Sequence, residues 1–111
     1  MNNILDDVLE LKELIIETEE YKNYKSSLNK IEHDNKINKL IKEIVIKQKE
    51  ITNKEYKKVD TSLLEQELDS LYKELNSIKE YSEYIDNSIR LNELITNIQN
   101  NFEKYFNSLV R

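Results

Sequence analysis

An all-α protein built from several amphipathic helices is the fold class this sequence predicts, and three observations lead there. The 111-residue chain has no glycine and no proline, which removes the usual helix breakers and the usual material of tight turns. Apolar residues recur at three- and four-residue steps along nearly the whole length, the period of a helix face rather than of a strand. Charged residues make up 35% against 38% hydrophobic, so polar faces can be solvated while enough Ile, Leu, Val and Phe remain to form a core. Long helices with narrow seams usually pair antiparallel or dimerise. The expected architecture is an elongated helical bundle with a long antiparallel helical hairpin and short N-terminal helices, forming one domain over residues 1–111.

The first helix is carried by Ile4, Val8, Leu11 and Ile15, with Leu5 and Leu14 beside the stripe. Asn2 or Asn3 is a natural N-cap, and Asp6 and Asp7 suit the positive end of the helix dipole. The stripe stops at Ile16, and "ETEE" (Glu17 to Glu20) offers Thr18 as the next cap, with Tyr21 three residues on. A shorter second helix then places Tyr21, Tyr24, Leu28 and Ile31 on one face. "EHDNK" breaks that pattern, and Asp34 or Asn35 caps a third helix with Ile37, Leu40, Ile41, Ile44, Val45 and Ile51, running to about Tyr56. Asp60 and Thr61 mark the next start, where Thr61 with Glu65 and Gln66 loosely resembles a capping box.

The fourth helix sets Leu64, Leu68, Leu71, Leu75 and Ile78 in strict four-three alternation, a narrow seam suited to a coiled-coil partner. Tyr84, Ser88, Leu91, Ile95, Ile98, Phe102, Tyr105 and Leu109 continue the alternation, and only Ser88 is not apolar. They read as one helix of roughly 30 residues, about 45 Å long at 1.5 Å per residue. The junction at Asn76 to Tyr81 reads as a short turn or a kink. The fourth and fifth helices are expected to form the hairpin, with Tyr21 and Tyr24 packing the "ETEE" corner onto it.

Several function classes fall away. The net charge of −5 argues against direct nucleic-acid binding by phosphate neutralisation; the nearest basic run, Asn53 to Asp60, is short and flanked by acids. The absence of cysteine excludes disulfides, thiolate metal sites and Cys nucleophiles. His33, the single histidine, has no second ligand at helical spacing, and reads as a solvated helix end rather than a metal site. Paired carboxylates such as Asp6 and Asp7 lie on polar faces, whereas a general acid needs an apolar cleft. Neither a Gly-rich phosphate loop nor a nucleophile elbow is present. The reading is a non-enzymatic protein without metal or cofactor. The acidic start lacks the basic region of a signal peptide, and no window approaches the ~18 apolar residues of a membrane span, so a cytoplasmic location is expected.

The segments Ile15 to Ile44 and Leu68 to Gln99 together resemble the YlbF/YmcA family of bacterial regulators. The first carries the Thr-Glu-Glu-aromatic stretch followed by a spaced Asp, and the second an aromatic and then Leu91, Asn92, Leu94 and Ile95. Within the family, "ETEE" and the compact middle are similar to the YmcA-like branch. The resemblance implies a small helical subunit acting with a YlbF-like and a YaaT-like protein to assist ribonuclease Y in mRNA processing, with effects on competence, sporulation and biofilm formation. Two departures stand out: Lys79 occupies a position where the family often has proline, and the cysteines that some relatives use for iron–sulfur clusters are missing.

The tyrosines supply the candidate interface. Tyr is enriched at protein–protein contacts, and Tyr21, Tyr24, Tyr81 and Tyr84 cluster around the corner and the last seam, with Ile85 and Ile89 lying off that seam. The leftover apolar surface predicts a homodimer or larger assembly held mainly by the fourth and fifth helices. The alternative is a structural coiled-coil or chaperone-like module that satisfies its seams by self-association alone.

Overall fold

The computed structural model describes residues 3–110. It contains five helices and no strand among the described residues: α1 (Ile4–Ile16), α2 (Glu19–Glu32), α3 (Asn35–Tyr56), α4 (Ser62–Asn76) and α5 (Lys79–Leu109). The all-α fold class holds, and each helix carries the apolar periodicity that predicts it.

Caps explain most of the boundaries. Asn3 closes a capping box with Asp6: its side chain accepts from the Asp6 amide at 2.9 Å, while Asp6 accepts from the Asn3 amide. The alternative cap, Asn2, lies outside the described residues. Thr18 starts α2 by accepting from the Tyr21 amide at 3.2 Å, and donates its own proton to the Ile15 carbonyl. Asp34 caps α3 through the Ile37 amide at 2.9 Å. At α4 the roles differ from expectation. Thr61 occupies the N-cap position without capping, and its hydroxyl donates instead to the Glu65 carboxylate at 3.2 Å. Asp60 takes over, accepting from both the amide and the hydroxyl of Ser62.

The end of α3 is a Schellman motif made without glycine. The Val59 amide reaches back to the Lys54 carbonyl and the Lys58 amide to that of Glu55, satisfying carbonyls that the helix end leaves open. Lys58 adopts a positive φ of 59°, the left-handed conformation that glycine ordinarily supplies at this position. Between α4 and α5 the chain takes only Ser77 and Ile78, with Ser77 still in helical dihedrals, so the Asn76 to Tyr81 junction is a two-residue turn.

The chain divides into two compact units. One combines the residues up to Ser27 with those from Tyr84 onward, and the other spans Leu28–Glu83. In the second unit α3 packs closely along α4, and the short connection 57–61 makes the pair antiparallel. This corrects the expectation that the fourth and fifth helices form the closely packed hairpin. The physical reason lies in the connections. Five residues with a left-handed corner at Lys58 reverse the chain between α3 and α4, whereas only Ser77 and Ile78 separate α4 from α5. Ile31, Ile37, Leu40, Ile44, Ile51 and Leu75 are the buried apolar residues of this unit, and Ile37 and Leu75 are the most enclosed. Ile37, Leu40, Ile44 and Ile51 step by three, four and seven, one face of α3.

In the first unit Leu91 is buried, and Ser27 is a buried polar residue. The Ser27 hydroxyl donates to the Asn23 carbonyl at 2.6 Å and accepts from the Asn87 amide group at 2.6 Å. That bond ties α2 to α5 and leaves the buried oxygen satisfied. Ser88, the polar member of the α5 seam, donates to the Tyr84 carbonyl one turn earlier at 2.8 Å.

Candidate functional site

Side-chain chemistry first delimits what these helices can do. The groove along α3 and α4 is open, with Ile46 and Leu71 in its lining and Glu43, Glu50, Glu67 and Glu74 along it. Ser70 beside it donates to the Gln66 carbonyl, and Lys47 is paired with Glu67. That hydrogen bond, with the nearby carboxylates, raises the Lys47 ammonium above its ordinary value, so the lysine stays charged. Asp60 is held below the ordinary carboxylate value, chiefly by the Ser62 hydroxyl and then by backbone amides. Neither shift poises a group for proton transfer near neutral pH. Among the described residues no group of three or more His, Cys, Asp or Glu is placed to hold a metal ion. The His33 ring pairs with the Asn29 carbonyl at 2.8 Å on an exposed helix end. Among the described residues, no helix is long and apolar enough to cross a membrane.

What the helices do offer is apolar surface. Of the six candidate interface residues, Tyr24 and Tyr84 are brought together in the first unit, with ring centroids 5.8 Å apart and planes tilted by 31°. Both are half-buried, as is Tyr21, whose amide is held by Thr18. The Tyr24–Tyr84 contact sets one of the two tyrosines of the expected docking against α5. Ile85 is half-buried and Ile89, one turn on, is 50% exposed. Tyr81 is half-buried and belongs to the second unit.

Two larger surfaces lie outside that set. No residue of α1 is buried, yet Ile4, Leu5, Val8, Leu9, Leu14 and Ile16 are large apolar side chains exposed by 39–84%. At the other end of the sequence Phe102, Tyr105, Phe106 and Leu109 fall at i, i+3, i+4 and i+7, one face of α5, and are 44–79% exposed. Phe102 and Phe106 stack there at 6.2 Å. The signal for both was present as periodicity. A stripe shows that a face wants cover, and these two stripes read as internal core and as seam. The extra apolar positions Leu5, Leu9 and Leu14, beyond the four of the α1 seam, marked more surface than one narrow contact uses.

Comparison with known proteins adds the family. The search of curated proteins gives no match. A family model described as "Control of competence regulator ComK, YlbF/YmcA" matches residues 4–105, from the first residue of α1 to the last turns of α5. With four helices and most of the fifth inside the match, this chain belongs to the YlbF/YmcA family.

Proposed function

We propose that the chain is a non-enzymatic regulatory adaptor, the YmcA-like subunit of a complex that assists ribonuclease Y in mRNA processing. In that role it influences competence, sporulation and biofilm formation. The observation that carries the reading is the pairing of family membership with large apolar helix faces left open to solvent, surfaces of the kind that mark protein interaction sites on soluble chains. A YlbF-like and a YaaT-like protein are the proposed partners, in the cytoplasm. The whole chain serves as a single family domain. Tyr21, Tyr24, Tyr84, Ile85 and Ile89 of the first unit, and Tyr81 of the second, are the proposed contact residues for them, and no direct nucleic-acid contact is part of the role. The isolated chain is proposed to be a homodimer.

Affinity capture of the tagged chain under gentle conditions tests the reading, and recovery of neither a YlbF-like protein nor ribonuclease Y counts against it. Sequencing of transcript ends after gene deletion separates it from the second reading, a coiled-coil or chaperone-like module that only self-associates. The openness of α1 favours that alternative, and unchanged mRNA processing would establish it over the adaptor.

A further inference from the structure

We propose that two copies of this chain pair reciprocally, with the apolar stripe of α1 in each seated on the aromatic C-terminal face of α5 in the other. The inference deepens the homodimer put forward above and rests on it.

Helix α1 has two adjoining apolar stripes. Leu11 and Ile15 are half-buried, so one stripe already has partial cover. Leu5, Leu9 and Ile16, spaced by four and seven, form the second and remain 66%, 52% and 39% exposed. A helix that exposes this much apolar surface gains from a second apolar surface more than from water.

The α5 end supplies the matching surface. Phe102, Tyr105, Phe106 and Leu109 have the i, i+3, i+4, i+7 spacing by which one helix anchors on another, and Val110 extends the patch. Charge decides which surface α1 meets. Asp6, Asp7, Glu10 and Glu13 flank its apolar arc against a single Lys12, so an α1–α1 contact sets two acidic helices side by side. The last turns of α5 carry Glu103 and Lys104, which cancel, and an α1–α5 contact avoids that repulsion.

Area decides that a second copy is a sufficient occupant. The stripe of Leu5, Leu9 and Ile16 and the aromatic end of α5 add up to the equivalent of about five fully exposed side chains. At roughly 100 Å² of apolar area each, that is about 500 Å² per copy and about 1,000 Å² over the pair, the size at which a specific interface begins. Because each copy carries both surfaces, one two-fold axis pairs both at once and closes the assembly.

The absence of native cysteine makes the test direct. Leu5→Cys and Phe106→Cys are made separately, at exposed positions whose change leaves the core intact. The two purified variants are mixed, allowed to exchange subunits, and treated with a short bis-maleimide cross-linker. The expected result is a covalent dimer from the mixture and little from either variant alone, with the parent chain showing dimer mass by light scattering at tens of micromolar. A parent chain that stays monomeric overturns both this pairing and the homodimer, including the case in which the same faces bind only a different protein. A dimeric parent overturns this pairing alone if Leu5→Cys cross-links by itself as readily as the mixture, or if the mixture does not cross-link. Circular dichroism of both variants, matching the parent, shows that the outcome reports assembly rather than unfolding.

Discussion

Replacing Ile37 with alanine tests whether the buried face of α3 holds the second unit together. Ile37 is 0% exposed, and the change removes three carbons. At about 0.8 kcal/mol per buried methylene the transfer loss is about 2.4 kcal/mol, and an incompletely collapsed cavity raises the total to about 3–4 kcal/mol. The contrast is Val45→Ala on the open side of the same helix, where Val45 is 42% exposed. There the lost burial is below about 1 kcal/mol, and the better helix propensity of alanine offsets about half of it. The assay is thermal unfolding followed by circular dichroism, at one protein concentration because assembly moves the midpoint. At about 4 °C per kcal/mol for a chain of this size, Ile37→Ala lowers the midpoint by about 12–16 °C and Val45→Ala by no more than about 2 °C. Midpoints that fall equally in the two variants, or a drop below about 4 °C for Ile37→Ala, refute the assignment of the α3 core face.

Three further outcomes are expected. Asp34→Ala removes the side-chain acceptor of the Ile37 amide and lowers stability by about 1 kcal/mol, measured by urea titration; Asp34→Asn retains most of it. Because the Asp60 carboxyl is held below its ordinary value of 3.8, its contribution is fully present above that pH and is lost as the pH falls through the lowered folded value. An acid titration of helicity therefore shows a smaller loss below pH 3.8 in Asp60→Asn than in the parent, and identical curves exclude the contribution. Asn87→Ala deletes the bond to the Ser27 hydroxyl while Ser27 keeps its own donation to Asn23, so the expected cost is about 1 kcal/mol rather than the larger penalty of an orphaned buried hydroxyl.

Helix ends were the most legible part of this sequence, because a cap is local chemistry. Asn3, Thr18 and Asp34 each place an acceptor three residues before the amide that needs it. Thr61 misleads because Asp60 and Ser62, immediate neighbours, form a better local pair. The choice of helix partners was much less legible. The seams of α3, α4 and α5 share the same three-four step, so spacing alone does not say which two pack together. What decides is the connection at Lys58, and a lysine gives no warning that it will adopt a left-handed backbone. The tyrosine pair at Tyr24 and Tyr84 was visible as composition and became a contact only through the fold. The openness of α1 was invisible for the opposite reason: a good apolar stripe looks the same covered or bare.

Lys58 also bears on how this chain can change. A non-glycine residue held at φ 59° carries a penalty of about 1 kcal/mol that glycine avoids and asparagine reduces. Either lysine codon becomes an asparagine codon by a single change at its third base, whereas glycine takes at least two changes. A modest gain in stability therefore lies one mutational step away, at an exposed corner outside every proposed contact. A population carrying this gene can draw on that step when another substitution, useful for binding but harmful to folding, has to be absorbed.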